Sequence, residues 1–389
     1  SSTTSTSTST STIRGGSTTR MDNSSNLSLL DHVNFNVPNH EYILDFYLDI
    51  LGCGLDPKVA VNLMTDNNKS FGREGLIWVS CGPNQFHFPR DTKGSGQVLP
   101  GHIGLRYNSL VGLKNRLAAA TAHHKTMNNT TKCCCVESYE IVVERHDDDS
   151  SETTEIVQIQ DHYGNVFHCR EERNNKKEWL TQYKQSVVKR SDQDQFGDVA
   201  LRYGMIDVEE EDDDDEKSES ELKSESDCRG IEYVEFHCRM GTAQKIALFY
   251  ESIFDATTNV VSSVVQQQQK DNTNNNMTTT VQVAHIAMGE IDATTGQASQ
   301  YLRFRETPVD LPEYDGHHIA LYIGTQTGDT QNFEYAFQKA QQAGLLSTNW
   351  RDKVDVLTVE DATSQSQFRI DTIIDMDVDV DADVDVDNN

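Results

Sequence analysis

The stretch from Leu30 to Gly52 first alternates between apolar and polar residues and then changes its period. The alternation predicts a half-buried strand, with His32 on the polar face and Val33 on the apolar one. Beyond Pro38 the apolar residues recur at helical spacing, and Gly52 stands where a helix would end. The pattern predicts a strand that carries an inward polar histidine, followed by a helix that covers its apolar face.

The same strand–helix pattern restarts at GHIGLRY, IEYVEFHC and HHIAL, so the chain contains an internal repeat. Besides the opening stretch, strands are predicted at residues 75–81, 85–88, 102–107, 139–144, 155–160, 166–170, 231–238, 281–289, 300–305, 317–321 and 367–374, with one more near 58–64. Further helices are predicted at residues 111–122, 243–253 and 333–343, and one near 179–188. We interpret the chain as four β-α-β-rich modules, with the first two in one domain and the last two in another.

Composition sets the expected boundaries between ordered and disordered parts of the 389 residues. The expected parts are a disordered Ser/Thr-rich extension (1–26), a first domain (27–172), an acidic linker (173–228), a second domain (229–376) and a disordered acidic tail (377–389). A Gln/Asn-rich insert at 266–280 predicts a disordered loop. The formal net charge of −29 argues against nucleic-acid binding, which needs a basic face.

The eight cysteines include no CxxC pair, and Cys133, Cys134 and Cys135 are contiguous. This usage predicts reduced thiols in an intracellular, cytoplasmic protein, with a metal role for the triplet as the alternative. The first 20 residues contain arginine but no acid, which is also the composition of transit peptides, so targeting to an organelle stays open. No apolar run is long enough to predict a membrane span.

Three motifs follow one another along the chain: DHVNFNV…FYLDILG, GHIGLRY…LKNRLAAA and DHYGNVFHCRE. In their order and spacing together they resemble the vicinal-oxygen-chelate superfamily, which includes glyoxalase I, bleomycin-resistance proteins and extradiol dioxygenases. It implies an α+β fold of tandem domains, each of two βαβββ modules forming a cupped mixed sheet with helices on its outer face. It also implies a divalent metal in the cup, held by the first and last strands of each module.

The positions that hold metal in this family match four histidines of the first domain, namely His32, His87, His102 and His168. Strand alternation independently places each of them on the polar face of its strand. Imidazole ligands suit Zn, Fe, Ni or Cu, although the family normally also supplies a Glu. The alternatives are a metal-free ligand cavity lined by these histidines and a purely structural role.

The second domain offers a different set of residues at the equivalent positions: Tyr233, Glu235, Arg303, His318 and Arg369. Its arginines suit an anionic small molecule, because guanidinium pairs well with carboxylates. The alternative is a module kept only for packing. His285 reads as a core histidine, and Arg305 with Glu306 as a surface pair.

The leading functional hypothesis is a metal-dependent glyoxalase- or dioxygenase-like enzyme acting on a small oxygenated metabolite. A metal-free protein that sequesters a small molecule is the alternative from a different class, and an interaction scaffold using the acidic tracts is a third. The sequence identifies neither a general base nor the substrate, the metal or the oligomeric state. It also leaves open whether the second domain has a working site.

Overall fold

The protein is described here by a computed structural model with thirteen strands in two sheets and five helical segments within the residues that it describes. Those residues are 26–55, 76–91, 94–126, 136–145, 153–172, 228–267, 277–324, 331–347 and 356–376. None of the helices in these ranges combines the length and the apolar character needed to cross a membrane. Most of the predicted extension and of the linker, the tail, the cysteine triplet at 133–135, the helix near 179–188 and the strand near 58–64 lie outside them.

Three modules have the order β-α-β-β-β, and the described residues of the fourth contain one strand and two helices. The first module contains β1 (Leu27–Asn34), α1 (Glu41–Ile43) continuing as a π-helix (Leu44–Ile50), β2 (Gly54–Leu55), β3 (Leu76–Cys81) and β4 (Asn84–Pro89). The second contains β5 (Gly101–Tyr107), α2 (Val111–Thr126), β6 (Val136–Arg145), β7 (Thr153–Asp161) and β8 (Val166–Glu171). The third contains β9 (Cys228–Arg239), α3 (Ala243–Phe254), β10 (Thr258–Gln267), β11 (Met277–Ile291) and β12 (Ala298–Thr307). The fourth contains β13 (His318–Ile323), α4 (Gln331–Gln342) and α5 (Val359–Gln365).

Each complete module folds in the same way. Its first strand lies parallel to its last strand, as β1 does to β4, β5 to β8 and β9 to β12. The apolar residues of the opening strands, such as Val33, Ile103 and Val234, are buried together with those of the helices in one core. The predicted α+β fold built from βαβββ modules is confirmed.

The modules pair differently from the expectation. The first strand of the first module pairs antiparallel with that of the fourth, and the first strand of the second with that of the third. The sheets therefore have the orders β13-β1-β4-β3-β2 and β10-β11-β12-β9-β5-β8-β7-β6. The expected pairing of modules one with two and three with four is wrong, because the open edge of each opening strand is filled by a strand distant in sequence.

Two local expectations also fail. The strand predicted at 367–374 is absent from the described residues, where only Ile370 forms an isolated bridge, to Leu346. The predicted loop at 266–280 begins and ends in strands, because β10 and β11 form a long hairpin that continues through Thr, Ser and Gln residues. Residues 268–276 lie outside the described ranges.

Two buried amides and a disulfide connect the sheets. Asn84 accepts from the Ile231 N–H at 2.8 Å, and Gln300 accepts from the Leu30 N–H at 3.1 Å, so each amide contacts the opposite sheet. Cys81 on β3 is bonded to Cys228 on β9. The expectation of reduced thiols did not foresee this bond, because 147 residues separate the two cysteines in sequence.

Candidate functional sites

A row of polar side chains crosses four adjacent strands of the eight-stranded sheet. His102 on β5 lies opposite Glu235 on β9, Glu235 lies opposite Arg303 on β12, and Arg303 lies opposite His285 on β11. Paired residues in neighbouring strands share one face of a sheet. We call this side the arginine face, defined by His102, His168, Arg170, Tyr233, Glu235, His285, Arg303 and Arg305.

Glu235 is completely buried on this face, yet its charge is well compensated. Arg305 approaches both carboxylate oxygens, with Nε 2.7 Å from Oε1 and a terminal nitrogen 3.2 Å from Oε2. The Nδ1 atom of His102 lies 3.4 Å from Oε1. Such a two-pronged guanidinium–carboxylate contact fixes both side chains and offsets their charges.

Tyr233 occupies the centre of the arginine face because Gly104 lies opposite it on β5. A Cβ atom at Gly104 would stand 2.3 Å from the Tyr233 ring, so only glycine leaves room for the ring there. The Tyr233 hydroxyl lies 3.2 Å from Nδ1 of His168. Burial raises the pKa of Tyr233 to about 12, against the opposing effect of Arg303 and Arg170.

Arg303 is the one guanidinium of this face without a carboxylate partner among the described residues. Its Cζ lies 3.8 Å from the centre of the Tyr233 ring and 5.7 Å from that of Tyr301. Its Nε is buried and has no hydrogen-bond partner in this part of the chain. By contrast, Arg170 forms an ion pair, with its Nε atom 3.1 Å from Oε2 of Glu232. The face therefore carries one uncompensated positive charge beside aromatic rings.

The histidines of this face are neutral at physiological pH. Burial lowers the pKa of His102 to about 3, and Arg305 and Arg303 contribute to the shift. Burial, with a contribution from His102, lowers the pKa of His168 to about 3. Burial and Arg303 lower the pKa of His285 to about 4. Each neutral imidazole offers one N–H donor and one acceptor rather than a charge.

The five-stranded sheet carries a second row, which we call the histidine face and define by His32, Trp78, His87 and His318. His318 on β13 lies opposite Asn34 on β1, Asn34 opposite His87 on β4, and His87 opposite Trp78 on β3. His32 lies two residues before Asn34, on the same side of the strand. The His32 and His318 ring centres are 6.1 Å apart.

The donor types of the histidine face suit a transition metal, but its rings do not converge on one point. The His32 and His87 rings are stacked 3.8 Å apart at 19° to each other. Lone pairs lie in the ring planes, so near-parallel stacked rings cannot both point at one ion unless one of them turns. In the described part of the chain, no set of three histidines brings its nitrogens within 4.8 Å of one another.

The structure divides both residue sets that the sequence suggested. Of the four candidate metal ligands, His32 and His87 lie on the five-stranded sheet, while His102 and His168 lie on the eight-stranded one with ring centres 3.9 Å apart. The residues suggested for the second domain divide in the same way, since Tyr233, Glu235 and Arg303 belong to the arginine face. His318 joins the histidine face, where Arg369 is close enough to contribute to lowering its pKa to about 4, after burial and His32.

Two minor interpretations are corrected by these contacts. His285 lies on the polar side of its strand opposite Arg303 and is not a core histidine. Arg305 pairs with Glu235, whereas Glu306 is buried and accepts from the Ala243 N–H at 3.1 Å, so the two do not form a surface pair. The alternation of polar and apolar residues could have indicated this, because Arg303 and Arg305 alternate with apolar residues on β12 as Tyr233 and Glu235 do on β9.

Searches with the sequence match neither a protein-family model nor a curated protein. Similar solved structures include glyoxalase I from Zea mays, with 11% identity, a TM-score of 0.40 and 82% of each chain covered. They also include a glyoxalase/bleomycin resistance protein/dioxygenase from Alicyclobacillus acidocaldarius, with 14% identity, a TM-score of 0.23, and 37% of this chain covering 92% of that one. The strand order of the chain itself shows the βαβββ module fold that the sequence resemblance implied.

Proposed function

We propose that the chain binds a small carboxylate or similar anion on the arginine face. The observation that carries this proposal is Arg303, a guanidinium stacked on Tyr233 with no ion pair in the described residues. A partly buried, unpaired guanidinium is costly, and an anionic ligand removes that cost. A carboxylate matches its planar fork of donors, and the neutral imidazoles nearby offer further N–H groups.

The same face does not fit a divalent cation. Both oxygens of Glu235, the one carboxylate in the row, contact Arg305. The additional positive charge of Arg303 would repel a metal ion held by His102 and His168. The leading sequence hypothesis therefore receives less support at this face than the alternative of a metal-free binding protein.

Isothermal titration calorimetry with benzoate, and with neutral benzamide as the matched probe, tests the proposal. Replacing Arg303 by Gln should weaken benzoate binding by about 10- to 100-fold, the range expected for hydrogen bonds to a charged group. Arg239 is exposed at the end of β9, so Arg239→Gln is a control for the change in net charge. Binding that is equal in the two variants would contradict the proposal. Physiological salt should be used, because the charge of −29 repels anions at long range.

A second candidate, favoured by the three imidazoles of the histidine face, is a metal-dependent enzyme that acts on a small oxygenated metabolite. We propose His32, His87 and His318 as the residues that would hold a zinc, iron, nickel or copper ion, after rotation of His32 or His87. Such an ion would supply Lewis acidity towards the oxygens of the metabolite. The Asp31 carboxylate lies 2.8 Å from Nδ1 of His32 and so leaves Nε2 as the donor atom.

Elemental analysis after incubation with each metal tests this second candidate, with Cys133, Cys134 and Cys135 replaced by Ser so that their thiols do not bind the metal. His318→Ala should abolish metal retention if the histidine face binds the ion, while His168→Ala, on the other sheet, should not. If His168→Ala loses the metal and His318→Ala retains it, the assignment to the histidine face is wrong.

A further inference from the structure

Three cysteines meet at a point that neither candidate site uses. Cys53 follows the first helical segment, Cys81 ends β3 and Cys228 begins β9. Their sulfur atoms all lie within 4.8 Å of one another, and all three side chains are buried. Within the described residues, no other group of three His, Cys, Asp or Glu side chains converges in this way.

The fold brings these thiols together through close backbone contacts between the sheets. A Cβ atom at Gly82 would stand 2.0 Å from the Arg229 carbonyl oxygen, so the turn after Cys81 touches the start of β9 directly. The Tyr107 hydroxyl donates to the Leu51 carbonyl at 2.8 Å and fixes the segment before Cys53. The cluster is thus held by three separate parts of the chain.

Three sulfur donors in a buried position suit one class of ion. A metal–sulfur distance of about 2.3 Å places three sulfurs of a trigonal site about 4 Å apart, which is within the observed limit. Structural zinc takes four ligands, whereas soft Cu(I) prefers thiolates and is commonly three-coordinate. Nε of Arg116 donates to the Ile50 carbonyl at 2.8 Å, so a cation contacts the end of the helical segment that precedes Cys53.

We propose that Cys53, Cys81 and Cys228 bind one soft monovalent ion of the Cu(I) type when the Cys81–Cys228 bond is reduced. A small-molecule dithiol supplies two electrons and two protons to that bond and is itself oxidised to a disulfide. Binding then releases the three thiol protons and leaves the complex with two negative charges. The disulfide and the ion are mutually exclusive, because both use the sulfurs of Cys81 and Cys228.

The test is a Cu(I) titration of the full chain in competition with bathocuproine disulfonate. Cys133, Cys134 and Cys135 are replaced by Ser throughout, because their thiols would also bind the probe. After anaerobic reduction with dithiothreitol and its removal, the chain should bind one Cu(I), and the chain kept oxidised should bind none at this cluster. A reduced chain that does not bind Cu(I) overturns the proposal.

Two variants assign the binding to the cluster. Cys53→Ser should weaken Cu(I) binding by at least about 10-fold, since even changes around a metal site cost that much. Cys238→Ser is the matched control, because Cys238 and Cys53 are both buried cysteines with 7% exposure and neither is in a disulfide. Equal affinity in the two variants overturns the proposal.

A further measurement does not depend on the folding of Cys53→Ser. The reduced chain is treated with diamide, with and without one equivalent of Cu(I), and the Cys81–Cys228 bond is followed by non-reducing peptide mapping. We expect bound Cu(I) to prevent re-formation of the bond. Re-formation at the same rate in both samples would show that the ion does not occupy these sulfurs.

Discussion

Acidification should destabilise the chain through His102, because its imidazole stays neutral when folded. Its pKa is about 3 in the folded chain, owing to burial and then to Arg305 and Arg303. In an unfolded chain a histidine has a pKa of about 6.5. The unfolded state therefore takes up the proton first as the pH falls, and stability is lost between about pH 6.5 and pH 3.

The size of the effect follows from the difference in bound protons. One proton bound only by the unfolded state changes the free energy of unfolding by about 1.4 kcal/mol per pH unit. Between about pH 6 and pH 4.5 the His102 contribution amounts to about 2 kcal/mol, since the unfolded histidine is mostly protonated there. His102→Gln removes this contribution and keeps an N–H donor for Glu235. As the pH falls from about 6 to about 4.5, its free energy of unfolding should therefore rise by about 2 kcal/mol relative to that of the unsubstituted chain.

Urea unfolding of both proteins at several pH values, followed by circular dichroism, measures this difference. Comparing variants cancels the effect of the 62 acidic residues, which both chains share. Leu302→Val is the control, since it removes a buried methylene but no titratable group, and its difference from the unsubstituted chain should not change with pH. If the His102→Gln difference is also independent of pH, His102 is protonated in the folded chain and our electrostatic description of the arginine face is wrong.

Three further predictions concern the same face. Gly104→Ala should displace the Tyr233 ring, cost about 1–3 kcal/mol in urea unfolding, and weaken benzoate binding; unchanged binding would show that the ring position is unimportant. Glu235→Gln leaves Arg305 without its carboxylate partner, so it should lower stability by about 1–3 kcal/mol but tighten benzoate binding, and calorimetry that finds weaker binding would argue against an anion site. Benzoate should bind with uptake of protons at about pH 5 and below, because its charge raises the pKa of His102 and His168 from about 3 in the free chain; titrations at about pH 5 in buffers of different ionisation enthalpy that show no uptake would contradict this.

The sequence predicts well what depends on local alternation. The positions of His102 and His168 on polar strand faces follow from a period of two, and the structure places both where that period requires. The repeat of strand and helix likewise predicts the module order. These features need only neighbouring residues, so they are visible in the chain itself.

The pairing of modules is not visible there, because backbone hydrogen bonds between strands do not depend on side-chain identity. Each opening strand has one edge taken by the last strand of its own module and another edge open to any similar strand. The contact of Leu30 with Leu321 joins residues far apart in sequence, and so does the bond from Cys81 to Cys228. Such contacts are decided by the assembled core, and they determine which candidate residues meet.

This pairing makes the two polar faces chemically different, although they derive from one repeated module. His102 and His318 begin equivalent strands, but across the sheet His102 meets Glu235 and His318 meets Asn34. The buried carboxylate of Glu235 on the arginine face requires guanidinium partners, and the combined positive charge of these guanidinium groups favours an anion. The neutral amide of Asn34 needs no guanidinium partner, so the imidazoles of the histidine face lie beside an uncharged side chain. Different residues at equivalent positions of the repeat therefore give two faces that suit different ligands within a single chain.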